Sequence, residues 1–169
     1  MRAELRSLAV AAVATAALFG WQFATVHANY QGNWTALFCI GGNFHRPPEL
    51  NHGVYVFPDS PGYDGQWYRA VAHDPWMRAG LWRFVDMPER CQRILLPATA
   101  WLMAFGRPEW VDRTYILAVL FFLFAGVWIT SEWSAYQKRS PWWGLAFAVL
   151  PGTLITMDRM TVDVAEYAF

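Results

Sequence analysis

From Thr114 to Ser131 the chain reads TYILAVLFFLFAGVWITS, eighteen residues without a charged side chain. A helix needs about 20 mostly apolar residues to cross the hydrocarbon core of a bilayer, so this run is long enough to span. Two more runs of similar length lack charge, Ser7–Val26 and Ser140–Met157. Inside lipid only helices and closed barrels satisfy their backbone groups, and these runs are too long for barrel strands. The sequence therefore predicts an all-α integral membrane protein with about three transmembrane helices, at 7–26, 114–135 and 142–157.

Composition agrees. The chain is 56% hydrophobic, 18% aromatic and only 15% charged, more apolar than an ordinary soluble domain. Eleven Trp and seven Tyr fit the aromatic belts found at headgroup level. The net charge is zero with no run of like charge, which excludes an electrostatic nucleic-acid binder.

Orientation follows from Lys and Arg in the short flanks, because they resist translocation. Arg2 and Arg6 place the N-terminus in the cytoplasm, and Lys138-Arg139 make 136–141 a cytoplasmic turn. The long segment 27–113 then lies outside, with 158–169 on the same side, and the protein belongs to the cytoplasmic (inner or plasma) membrane. Two points stay open. The first run follows a basic start and meets small residues at Ala24–Ala28, as a cleavable signal peptide would. Ile94–Gly106 is apolar but short of a span, and reads as an interfacial or re-entrant helix; counting it as a span would leave Lys138 and Arg139 outside. The whole chain, 1–169, reads as a single membrane domain. Its last residues resemble the start of another helix without a cap, as if it stopped inside a larger fold.

Within the outer segment, Gly41-Gly42, Pro47-Pro48 and Pro58–Gly62 predict irregular chain. Helical order is expected near 63–73 and again near 91–106. Asp64 falls at or beside the first helix's N-terminus, where free amides and the helix dipole favour an anion; an ordinary capping role accounts for it without any chemistry. Trp67, Tyr68 and Val71 share an apolar face at helical spacing. Cys39 and Cys91 both fall outside, which makes a disulfide a candidate if geometry lets them meet. His27, His45, His52 and His73 lack metal-ligand spacing.

The segments Gly62-Tyr63-Asp64-Gly65-Gln66-Trp67-Tyr68, His73-Asp74-Pro75 and Glu89-Arg90-Cys91-Gln92-Arg93-Ile94-Leu95-Leu96-Pro97 resemble bacterial proteins of the GT-C glycosyltransferase superfamily. More distantly they are similar to the phosphatidylinositol-glycan mannosyltransferases. The later half, with its basic turn and Asp158-Arg159-Met160-Thr161-Val162-Asp163, resembles the protein O-mannosyl and aminoarabinose transferases. The resemblance implies transfer of a sugar from a polyprenyl-phosphate donor to an acceptor at the outer face. It implies Asp64 as the principal acid, acting as general base or helping to hold a divalent ion, with Asp163 orienting it. Glu166, three positions on, shares the face of Asp163. Arg90 and Arg93, and more weakly Arg69 and Arg159, are candidates for the donor's phosphate, for which a guanidinium fork is well shaped; Tyr63 is grouped with them. Snorkelling to lipid headgroups explains the arginines as well. No Asp-x-Asp pair is present, so a divalent metal stays possible without being required, and no other cofactor is implied. Membrane lipid is the remaining expected partner, and nothing sets an oligomeric state. Two rival classes remain, a non-catalytic membrane assembly subunit whose aromatic residues dock a partner, and a transporter or flippase fragment.

Overall fold

A computed structural model describes residues 2–168. Met1 and Phe169, the outermost residues of the 1–169 domain and, for Phe169, of segment 158–169, lie outside the described residues, as do the side chains of Arg2 and Ala3. The fold is mostly helical, built from α1 (Arg2–Tyr30), α2 (Gly65–His73), α3 (Leu95–Met103), α4 (Pro108–Tyr136), α5 (Leu145–Ala148), α6 (Pro151–Arg159) and α7 (Asp163–Tyr167). A two-residue parallel ladder joins β1 (Ile40–Gly41) to β2 (Val56–Phe57), and 3-10 turns connect the rest.

Two helices are long and apolar enough to cross a membrane, Glu4–Tyr30 within α1 and Pro108–Tyr136, which is α4. At 1.5 Å per residue, 29 residues reach about 43 Å, beyond a hydrocarbon core of about 30 Å. They pack on each other through Val10, Ala11 and Ala14 on one side and Val119, Phe122, Leu123 and Val127 on the other. The opposite faces are apolar too. Val13, Phe19, Trp21 and Phe23 stand exposed on α1, and Leu117, Phe121, Trp128 and Ile129 on α4. Only 28% of the most apolar stretch of α1 is buried within the protein. Uncovered apolar side chains along both helices mark a face that fits lipid or another protein surface.

The third apolar run is not one helix. Ser140–Met157 forms a 3-10 turn at Pro141–Gly144, then α5, then α6, which corrects the expectation of a continuous span over 142–157. Pro151 opens α6 at its first position, and Leu150 before it is extended at ψ 139°, because a residue preceding proline avoids the helical region. The run instead lies against α4: the ring of Phe147 fills the space beside Gly126, and Gly144 abuts Ser131 and the Val127 carbonyl.

The two ends of the molecule are well separated. At one, α4 closes on Lys138 at φ 58°, with Lys138 N–H donating to Ala135 and Arg139 N–H to Ser134, and the following turn packs on the first turns of α1 beside Arg6 and Val10. At the other, Gln22 of α1 donates to the Met157 carbonyl at 2.6 Å, and the Tyr115 hydroxyl of α4 donates to the Met160 carbonyl at 3.1 Å. Segment 157–167 and α2 therefore share the end away from Lys138-Arg139. Chain 91–106 divides into a 3-10 turn, Pro88–Gln92, and the nine-residue α3, whose length of about 14 Å is too short to span.

Candidate functional site

Asp64 occupies the cap position of α2, yet its backbone is already helical (φ −53°, ψ −33°) and its side chain bonds to no backbone amide. The capping role is not what this carboxylate performs. Its Oδ2 lies 2.7 Å from Nη1 of Arg90 instead. The same guanidinium holds Asp86, with Nε to Oδ1 at 2.6 Å, and lies 4.4 Å above the Trp67 ring. Burial works against the charge on Arg90, but the hydrogen bonds and charges of Asp64 and Asp86 outweigh it and raise its pKa, so Arg90 is a fixed cation between two acids.

One turn along, Arg93 meets Glu166 of α7 at 3.3 Å, with both side chains about half exposed. Tyr68 lies beside both arginines and is only 1% exposed. Its hydroxyl is pushed up by burial, against Arg93 and Arg90, which pull it down. Arg93 is raised in turn by the Tyr68 hydroxyl, then by Glu166 and Asp163, with burial opposing. Asp163 is tied to its own segment: Thr161 donates to its Oδ2 at 2.6 Å, and Thr156 accepts the Val164 N–H at 3.2 Å. Asp64, Arg90, Arg93, Asp163 and Glu166 thus form one array around Tyr68, although they come from three separate stretches of sequence.

Tyr63 and Arg159 flank this array. The Arg159 guanidinium is 5.8 Å from the Tyr63 ring, pairs with Asp158 at 2.8 Å and donates to Sγ of Cys39 at 3.3 Å. Gly65 presses its Cα face onto the Arg159 carbonyl, leaving no room for a side chain, so α2 starts directly over the end of α6. Below lies an open groove of about 710 Å³ between α1 and α6, walled by Leu18, Trp21, Leu154 and Ile155, with Tyr63, Asp158 and Arg159 at its polar end.

The disulfide candidate is corrected: Cys39 and Cys91 are both free and buried. Cys39 ends a 3-10 turn at φ 51° with its sulfur on Arg159, while Cys91 belongs to the Pro88–Gln92 turn. Burial raises both thiols, opposed at Cys39 by Arg159 and reinforced at Cys91 by Asp74.

The most buried ion pair among the described residues had no forecast in the sequence. Arg69 grips Asp112 of α4 through two bonds of 2.8 Å and donates to the Leu50 carbonyl at 3.0 Å, and His73 Nε2 reaches Asp112 at 3.1 Å. This pins α2 to α4 and so sets the position of Asp64, and it explains Arg69 without a phosphate. The one available signal was the i, i+4 spacing of Arg69 and His73, which puts them on one helix face. Gln66 was missed as well; it accepts from Gly41 N–H and donates to the Pro61 carbonyl, holding the loop in front of α2.

A divalent ion fits this donor set poorly. Asp64 and Asp86 both turn to Arg90 and Glu166 turns to Arg93, so the carboxylates are neutralised by cations, and among the described residues no three His, Cys, Asp or Glu groups converge. No protein-family model matches the chain, and no curated protein or solved structure matches it significantly.

Proposed function

We propose that this protein is a membrane glycosyltransferase of the GT-C kind, transferring a sugar from a polyprenyl-phosphate donor to an acceptor on the extracytoplasmic face. The observation that carries the reading is the joining of Asp64, Arg90, Arg93, Asp163 and Glu166 beside the polar end of an apolar groove. A prenyl chain suits the walls of α1 and α6, and its phosphate suits the guanidinium of Arg159, the one arginine among the described residues that lines the groove's polar end.

In this reading the acceptor hydroxyl attacks the anomeric carbon while the bond from that carbon to the donor phosphate oxygen breaks. Asp64 takes the hydroxyl proton as general base, and the prenyl phosphate leaves as an anion. Arg90 fixes the Asp64 carboxylate, which stays 39% exposed and open to an acceptor. Arg93, half exposed and held by Glu166 at 3.3 Å and by the Tyr68 hydroxyl, is the cation that can exchange Glu166 for phosphate oxygens. Positive-inside flanks put the N-terminus and Lys138-Arg139 in the cytoplasm and the site outside, in the cytoplasmic membrane.

The test is transfer of labelled hexose from a polyprenyl-phosphate hexose in membranes carrying the protein. Asp64→Asn should lower the rate by about 100-fold or more, the scale of a lost general base, with the protein still inserted at normal yield. Undiminished transfer by that variant would refute the role of Asp64.

A further inference from the structure

On the far side of α2 from Arg90 lies a second cleft, of about 500 Å³, lined by His73, Pro75, Trp76, Arg78 and Trp101. That volume is in the range of small-molecule sites. Its walls are built with care. Asp74, buried, accepts backbone N–H bonds from Arg78 (2.7 Å), Ala79 (3.0 Å) and Leu81 (3.2 Å), so the loop carrying Trp76 is tied down. Trp101 projects from α3, and Gly106 at φ 67° backs its ring so closely that a Cβ there would come within 3.0 Å. The two indoles meet at 88° with centroids 5.9 Å apart, forming a corner. His73 sits beside them with its ring orientation set by the bond from Nε2 to Asp112, which Arg69 holds from the other side. In the neutral ring this leaves Nδ1 as an acceptor, and among the described residues nothing bonds to it.

A right-angled pair of indoles beside one fixed polar group suits a ligand with an apolar face and a hydroxyl rim. A pyranose ring has that form: its C–H face meets the negative face of an indole, and a hydroxyl can donate to His73 Nδ1. We propose that this cleft binds one sugar unit of a carbohydrate acceptor, with Trp76 and Trp101 as the platform and His73 as the hydrogen-bond acceptor. The inference rests on the glycosyl-transfer reading for the ligand's role as acceptor; its chemistry comes from the cleft. The helix separates this cleft from Asp64 by the length of α2, about 14 Å, so the acceptor is an oligosaccharide long enough to reach both.

The experiment is saturation-transfer NMR on the protein in phosphatidylcholine nanodiscs, without donor, using mannotriose, maltotriose, galactotriose and chitotriose as probes. At least one should give transfer concentrated on its ring C–H protons. Trp76→Ala, at an exposed loop position, should reduce that signal about fivefold or more, on the scale of one aromatic contact, and Trp76→Phe should restore part of it. Absence of signal from all four probes, or a full signal in Trp76→Ala, overturns the proposal and leaves Trp76 as a headgroup anchor. Binding is also measured in Asp64→Asn, where it should persist. Sugar binding without any transfer activity would sink the catalytic reading alone, and transfer without trisaccharide binding would sink this site alone.

Discussion

Replacing Asp112 with Ala strips Arg69 of both its 2.8 Å bonds and His73 of its 3.1 Å contact. The Arg69 side chain is only 7% exposed, so its guanidinium cannot turn to water, and the Leu50 carbonyl satisfies just one of its five donors. Removing one partner of a buried pair costs about 3–5 kcal/mol, whereas an exposed pair is worth about 0–1 kcal/mol. Asp112 is 25% exposed, which admits some water and places the expectation at the lower end, about 3 kcal/mol. Equilibrium unfolding in mild detergent measures this directly. The double variant Arg69→Met with Asp112→Leu should recover most of the loss, because no charge is then left stranded. A change below about 1 kcal/mol in Asp112→Ala would refute the idea that this pair clamps α2 to α4.

Gly65→Ala should destabilise the junction of α2 with the end of α6 by about 1–3 kcal/mol in that assay, since a methyl group there meets the Arg159 carbonyl and the Phe38 backbone. Two thiols should react with maleimide in SDS without reductant, as both cysteines are free; a disulfide would yield none. In the native protein Cys39 and Cys91 should react slowly. Their raised thiol pKa favours the fold at neutral pH, where both states are protonated, and that contribution is lost as pH climbs through the folded value, so unfolding measured above about pH 9 should become easier. Arg90→Met leaves Asp64 and Asp86 facing each other without their shared cation and unties Asp64, so transfer should fall about 100-fold, as it does when a reacting group is misplaced by an ångström.

Helix content and the two long apolar helices were legible because both depend on local chemistry: uncharged length shows in any window of sequence. The third run deceived for the same reason. Its hydropathy is continuous, and Pro151 and the tight contacts of Gly126 and Gly144 with neighbouring elements, which decide where it bends, count for little in a hydropathy reading. Asp64 and Asp163 were named through motif resemblance, Glu166 through helical spacing and Arg90 and Arg93 through the fit of a guanidinium to phosphate, while their wiring, with Arg90 shared by Asp64 and Asp86, belongs to three dimensions. The Arg69–Asp112 clamp spans 43 residues and joins a loop helix to an apolar one, a pairing that no local period announces. Cys39 and Cys91 show the converse: a plausible pair in sequence is kept apart by the different turns that hold them.

The central claim is that Asp64 and Asp163 act from one face of the membrane, opposite the Lys138-Arg139 turn. Single reporter cysteines next to Asp64, at Gln137 and next to Asp163, in a background lacking Cys39 and Cys91, can be probed with a membrane-impermeant maleimide in sealed cells. The account predicts labelling beside both acids from outside and labelling at Gln137 only after the membrane is opened. Labelling that puts Asp64 and Asp163 on opposite sides would contradict a shared site and, with it, the assignment of glycosyl transfer.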